Sequence, residues 1–375
     1  MARSVTKAVQ KKGADKGLFF LVIGLVVVGY IIFFSASLGL LGRDETTIGG
    51  IALKQAVVGI LGGAVALFVC SIIPTDHIRR FSPWIFIGAI FVNMLIFIPG
   101  MSISAGGATR WLDLGFISFQ PGEMLKFAAV LFYAALLRRN RDEMDTFKGG
   151  LLPLLAIGGI TTGILLLQRD TDPIIGLALV LMFFVSGGRW KDLIIVALIA
   201  CVGIGGLLYT RPYVLDRVKI FIDPSQDSLG SGYQVQQSLI AIGNGGFWGQ
   251  GFGQSVQKFK YLPEPVGDSI FAVAGEEFGF AGAASLVILY LVLSVRLSTL
   301  ASRTRDAFGR AVIIGFLTLI VGQSFMNIGA MVSILPLTGV PLAFISHGGT
   351  ALLFALAEIG IILGISKGKS SSSAA

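Results

Sequence analysis

The chain carries little charge. Only 13% of its 375 residues are Asp, Glu, Lys or Arg, against about 25% in soluble globular proteins. With 54% hydrophobic residues and a mean hydropathy of +0.83, that shortage excludes a soluble enzyme. Cysteine is scarce as well: Cys70 and Cys201 each lie inside an apolar run, without Cys-x-x-Cys or any other metal spacing. Neither a thiolate metal centre nor a redox compartment can be read from them. A basic patch for nucleic acid is also missing. The formal charge is +8, yet Lys and Arg sit in short clusters between apolar runs. The positive-inside rule describes that pattern, and such clusters face anionic lipid.

Apolar runs are what the chain has in abundance. They lie near 17–40, 51–73, 82–100, 121–137, 150–168, 173–188, 192–209, 269–295, 310–332 and 341–365. A helix needs about 20 such residues to cross a bilayer, so the pattern predicts an all-α polytopic membrane protein with about ten transmembrane helices, the sixth being short. The first run exceeds the ~7–15 residues of a signal-peptide core and reads as an uncleaved span. A basic segment, 1–16, precedes the membrane domain, 17–366, and a Ser-rich tail, 367–375, reads as disordered. No soluble domain or clear internal repeat interrupts the domain.

Basic clusters alternate along the connections: five residues before the first span, then Arg79 and Arg80, then Arg138, Arg139, Arg141 and Lys148, then Arg189 and Lys191, then Arg296 to Arg310. This predicts cytoplasmic termini and an external connection over 210–268. A connection of that length is functional or partly structured. Its "DRVKIFIDPSQD" predicts a short amphipathic segment. Its "GYQVQQSLIAIGNGGFWGQGFG" predicts a segment that lies at the interface or re-enters the protein, where irregular backbone survives only beside protein or water.

With that orientation, unusual polar residues gather at the outer ends of the spans. Arg110, Trp111 and Asp113 share one outer loop; Glu123 and Lys126, three residues apart, share a helix face after Pro121. Lys54, Gln55, Arg169, Asp170, Asp172, Gln323, Ser324, Asn327, Ser346 and His347 lie at the same level, and Asp268 opens the eighth span. On an ideal helix Asp268, Ala272, Gly275, Glu276 and Gly279 fall within about 120°, a face suited to a cavity or a close helix contact. Glu277 points nearly opposite, toward a partner on another helix. Glu358 is the main buried charge in the other half. Each group has a bland reading: Trp111 as a belt anchor, Glu123–Lys126 as a structural pair, His347 as packing, Asp268 as a helix cap. Taken together they predict an outward polar cavity serving either transport or chemistry on a lipid-borne substrate.

Three stretches carry a family resemblance: "GATRWLDLGFISFQPGEMLK", "SGYQVQQSLIAIGNGGFWGQGFGQSVQKFKYLPEPVGDSIFAVAGEEFGFAG" and "NIGAMVSILPLTGVPLAFISHGG". With the ten-span layout, the chain resembles the SEDS family (shape, elongation, division and sporulation) of FtsW and RodA proteins over about 17–365. "QSVQK" and "PLAFIS" are nearer the division branch. The resemblance implies peptidoglycan glycosyltransfer from lipid II at the outer face of the bacterial cytoplasmic membrane. It also implies a class B penicillin-binding protein as partner, alongside other divisome or elongasome membrane proteins.

Several residues match the family's motifs: Asp268 in Leu-Pro-Glu-x-x-x-Asp, Trp111, Glu123 and Lys126. Others depart from them. Val266-Gly267 replaces His-Thr, Thr109 replaces the first Arg before Trp, Gly122 replaces Ser, and His347 replaces Tyr, while "RDTDP" keeps Asp170 but loses Gly-Thr. On this reading Asp268 is the catalytic base. Arg110, Lys126, Lys258 and Lys260 meet pyrophosphate charge, Glu123 orients Lys126, and Trp111 stacks on sugar or guides lipid. Asp170, Asn327 and His347 complete the substrate site, and a divalent cation, Mg or Mn, shares the phosphate charge. A lipid II flippase, an elongation-type polymerase and a scaffold for a partner synthase are the competing expectations.

Overall fold

The computed structural model describes residues 13–40, 48–105, 108–115, 118–170, 172–210, 212–223 and 230–368. Most of the basic N-terminal segment, the tail beyond Gly368 and part of "DRVKIFIDPSQD" lie outside the described residues. In chain order come α1 (Lys16–Leu38), α2 (Ile48–Lys54), a π turn (Gln55–Gly62) and α3 (Gly63–Ile72), then α4 (Thr75–Met94). Three short strands follow, β1 (Ser102–Ala105), β2 (Ala108–Asp113) and β3 (Ser118–Phe119), as an antiparallel sheet in that order. Next are α5 (Pro121–Arg139), α6 (Leu152–Leu167), α7 (Ile174–Val185) and α8 (Trp190–Thr210). Short helices α9 (Pro212–Ile222), α10 (Ser231–Asn244) and α11 (Gln257–Lys260) lead to α12 (Ile270–Arg303). The chain closes with α13 (Ala307–Leu317), a π turn, α14 (Gln323–Met331) and α15 (Gly349–Ser366).

Among the described residues, eight helical stretches are long and apolar enough to cross a membrane. The short α7, with 12 residues, and the charge-bearing α5 complete the ten predicted positions of this multi-pass membrane protein. Three boundaries differ from expectation. The eighth span runs to Arg303 rather than 295, because Arg296 finds Asp15 as a partner and the helix continues past the apolar run. The third span starts at Thr75 rather than near 82, because Asp76 and Arg79 form an i,i+3 ion pair that tolerates charge in the first turns. The tenth starts at Gly349 rather than 341, because positive φ at Gly339, Phe344 and Gly348 keeps the preceding segment out of a helix.

The helices at the centre, α13–α14 and α15, are the most enclosed, while α8 is almost bare. Glycine lets α15 approach α3: a Cβ on Gly360 would stand 2.5 Å from Leu67 O. Such close backbone contact is how apolar helices associate where water exclusion drives nothing.

Two ties fix the depth of the bundle. Arg296 of α12 pairs with Asp15 at 2.7 Å, and Ser35 near the other end of α1 donates to Glu277 of α12 at 2.7 Å. The twenty residues from 15 to 35 span about 30 Å of helix, a bilayer's hydrocarbon thickness. Glu277 therefore marks one rim. There α12 breaks at Gly279, whose φ is +66°. The break is filled by the segment after α10: Gln250 and Gly251 N–H donate to Glu276 and Glu277 carbonyls at 3.0 Å. Phe280 and Ala281 N–H donate to Gly246 and Phe247 carbonyls at 2.9 and 3.0 Å.

Of the two expectations for "GYQVQQSLIAIGNGGFWGQGFG", the interfacial one fits this level. Phe247, Trp248 and Phe280 are exposed there, as rim aromatics are. Gly279→Ala would force a Cβ into Gly249 N and Phe247 O and demand a left-handed alanine. A cost of about 1–3 kcal/mol is expected, read as a lower unfolding midpoint in detergent.

Candidate active site

At the Glu277 rim, the turn 264–268 carries Asp268 to the start of α12. Asp268 does not cap that helix. The N-cap is Ser269, and no side chain bonds the first-turn N–H groups; Ser269 Oγ instead accepts from Gln234 Nε2 of α10 at 3.0 Å. The backbone around Asp268 is clamped from three directions. Asn327 Nδ2 of α14 donates to Asp268 O and to Val340 O, both at 2.8 Å. Ser346 Oγ donates to Gly267 O at 2.8 Å, and His347 N–H to Val266 O at 2.7 Å. Gln55 holds the 346–348 segment from the other side, donating to Ser346 O and accepting from Gly348 N–H.

The half-buried carboxyl faces Gly339. A Cβ at Gly339 would stand 3.4 Å from Asp268 Oδ2 and 4.0 Å from Arg217 Nη2, so only glycine leaves this space and accepts its φ of +72°. Arg217 comes from α9, where its Nη1 donates to Thr338 O at 3.3 Å. Arg110 comes from β2 and donates to Arg169 O at 2.5 Å. Burial, then the neighbouring Glu264, push the Asp268 carboxyl up to about 6; Arg110 and Arg217 pull the other way, and Asp170 adds a smaller rise. The result is a carboxylate of weakly basic character in the field of two guanidinium groups.

A second cluster lies beneath it. Lys126 is buried with its Nζ 2.9 Å from Glu123 Oε1 and 3.0 Å from Asp172 Oδ2. Asp172 Oδ1 accepts from Ile174 N–H at the start of α7, at 3.0 Å, and Asp172 N–H faces Asp170 Oδ1 at 3.3 Å. Asp170 acts electrostatically on both Lys126 and Asp268, linking the two clusters. A narrow cavity of about 30 Å³ continues from Glu123 and Lys126 between α5, the 341–346 segment and α15.

Several expected residues are placed otherwise. Lys258 is fully buried and pairs with Glu277 Oε1 at 2.5 Å while donating to Ser35 Oγ at 3.0 Å. It satisfies the charge of Glu277 and is not presented to a substrate phosphate. Glu277 thus has the partner its helix face predicted. Glu276 is taken up by the neighbouring turn: it accepts from Ser255 Oγ and from Val256 and Gln257 N–H, the latter two at 3.3 Å, fixing the start of α11. Lys260 is exposed on α11. Trp111 follows Arg110 on β2, so its side chain leaves the opposite face of the strand. Asn327, 1% exposed, holds backbone rather than a pocket wall, and the His347 ring stacks on Phe33 of α1, centroids 5.9 Å apart.

The sequence reading missed Arg217, Asp172 as a ligand of Lys126, and Gly339. An Asp two residues ahead of a helix was a legible signal for Asp172; nothing local marked Arg217.

The fold and this rim define a class, a polytopic membrane protein with an acid–base group and cations gathered at one bilayer surface. The chain belongs to the FtsW/RodA/SpoVE family of cell cycle proteins, whose profile matches residues 16–371. It is 33% identical over 362 residues to a probable peptidoglycan glycosyltransferase FtsW of Geobacter sp. (strain M18), covering 95% of this chain and 97% of that one. It is 33% identical over 360 residues to the stage V sporulation protein E of Bacillus subtilis (strain 168), covering 96% and 98%. Its fold matches, with a TM-score of 0.79 and 24% identity, a chain solved in a study of how a peptidoglycan synthase complex coordinates polymerization and crosslinking. That match covers 96% of this chain and 99% of the other.

Proposed function

We propose that this protein is a peptidoglycan glycosyltransferase that polymerises lipid II into glycan strands, in septal wall synthesis during division. The observation that carries this reading is Asp268: a carboxyl on a clamped backbone turn at a bilayer rim, raised toward neutrality and within the field of Arg110 and Arg217. The alternating basic clusters support a reading with that rim outside the cytoplasmic membrane and both termini inside.

In the reaction a glucosamine 4-hydroxyl attacks the anomeric carbon of the lipid-linked strand. The new C–O bond forms as the bond to undecaprenyl pyrophosphate breaks, inverting that carbon in a single displacement. Asp268 accepts the hydroxyl proton as general base. Arg110 and Arg217 offer forked donors for the charge that develops on pyrophosphate. Lys126, held by Glu123 and Asp172, supports this region from below as a positioning group. Among the described residues no three His, Cys, Asp or Glu side chains converge as metal ligands. A divalent cation, Mg²⁺ or Mn²⁺, fits this chemistry as a companion of the pyrophosphate, with most ligands from substrate oxygens and water. A class B penicillin-binding protein is the partner this activity calls for, since glycan strands require crosslinking.

A flippase needs polar groups along a path through the bilayer. Here the helix below Glu358 buries Ile359, Ile361, Ile362 and Leu363, which favours chemistry at one surface. Proteoliposomes with labelled lipid II confined to the outer leaflet separate the two: glycan strands are expected, with or without the partner transpeptidase. No glycan in either condition would defeat the reading. Asn327→Ala frees the Asp268 backbone and is expected to lower the polymerisation rate by up to ~10²-fold, with the lipid II concentration for half-maximal rate changed far less.

A further inference from the structure

The cavity that begins at Glu123 and Lys126 ends on a carboxyl that the proposed reaction does not use. Glu358 lies in the enclosed helix α15, is 5% exposed, and lines the cavity. Ser366, in the last turn of α15, accepts from Asp15 N–H at 3.2 Å, which places that turn at the rim opposite Asp268. Glu358 is eight residues away, about 12 Å along the helix, and so sits near the middle of a ~30 Å hydrocarbon layer.

No described residue forms a hydrogen bond or ion pair with the Glu358 side chain. The charged groups that face it are Glu123 and Lys126, both from α5. From α3 the nearest titratable group is Cys70, beside Gly360 one half-turn further on. Gln323 from α14 and Ser346 from the segment before α15 line the cavity and do not titrate. Lys126 is therefore the one cation in reach among these groups, and its ammonium already holds Glu123 at 2.9 Å and Asp172 at 3.0 Å.

An ionised Glu358 would be a third carboxylate drawing on a single ammonium, in a setting where an unpaired charge costs many kcal/mol. Taking up a proton removes that cost. We propose that Glu358 is an intramembrane proton-binding site, a neutral carboxylic acid that seals the cavity beneath Lys126. Its ligand is the proton itself, reached through water held by the polar lining of Glu123, Lys126, Gln323 and Ser346.

Kept neutral, Glu358 leaves the Lys126–Glu123–Asp172 arrangement intact; ionised, it would compete for Lys126 and loosen the support under the Asp268 rim.

A hydrophobic carbodiimide tests it, because such reagents add to protonated carboxylic acids in apolar surroundings. The full-length protein in nanodiscs is treated near neutral pH and mapped by peptide mass spectrometry, beside Glu358→Gln. An adduct on Glu358 is expected in the wild type. The infrared difference between wild type and Glu358→Gln should contain a protonated carboxyl carbonyl band. Glutamine mimics the neutral acid, so the unfolding midpoint of the variant should be unchanged or higher. A Glu358 with neither adduct nor band overturns the proposal. So does a marked fall in the midpoint of Glu358→Gln, which would reveal a charged Glu358 paired with Lys126.

Discussion

Asp268→Asn should cut glycan synthesis from lipid II by ~10²-fold or more, the usual contribution of a positioned general base. The amide keeps the size of the carboxyl and leaves the Asn327 and Ser346 clamps untouched, since those grip backbone carbonyls at 268 and 267. The wild-type rate should itself depend on pH. A base must be ionised to act, and the Asp268 carboxyl is raised to about 6, so the rate should climb with pH and reach half its plateau near that value.

Stability runs the other way. A carboxyl whose folded value lies above its ordinary 3.8 binds its proton more tightly in the folded state. The fold therefore gains stability as pH falls through about 6 toward the ordinary value. Asp268→Asn should lose that dependence and melt no lower than wild type at neutral pH, as happens when an active site trades stability for function. A variant that polymerises at the wild-type rate removes Asp268 from the chemistry.

Lys258→Ala should do more damage to the fold than any other single change at this rim. It leaves Glu277 and Ser35, both buried, without the ammonium that joins them. Removing one partner of a buried ion pair costs about 3–5 kcal/mol, so little folded protein is expected in detergent extracts. Replacing both partners with apolar residues of similar volume, Lys258→Met with Glu277→Leu, avoids the orphaned charge and should restore folding. The double variant also decides whether Lys258 has any role toward substrate. A well-folded double variant that polymerises normally confines Lys258 to structure, while a well-folded but inactive one returns it to the phosphate site.

These residues show where sequence reading works in such a chain. The number and position of the spans were legible because hydrocarbon imposes its thickness on every helix that crosses it. Asp268, Arg110, Glu123 and Lys126 were legible because a charged residue at the end of an apolar run needs a reason. Glu277 could be assigned to a partner from helical periodicity alone. The identity of that partner could not be read: Lys258 lies nineteen residues upstream, beyond a glycine-rich turn whose path no local rule determines. Arg217 was hidden for a related reason, since an arginine on a short amphipathic helix looks like an ordinary interfacial residue until the helix is docked.

Composition and run length alone were enough to read that this chain lives in a bilayer, that it crosses about ten times, and that it gathers polar groups at one surface around Asp268. They were enough because burial in lipid leaves a periodic, length-limited imprint on composition. The folded arrangement was needed to learn which lysine is spent on a buried pair, that Asn327 grips backbone, that Arg217 stands beside the carboxyl, and that Glu358 lines a cavity. Those outcomes depend on distances between segments far apart in the chain, and pairing energies of buried charges exist only once such segments meet.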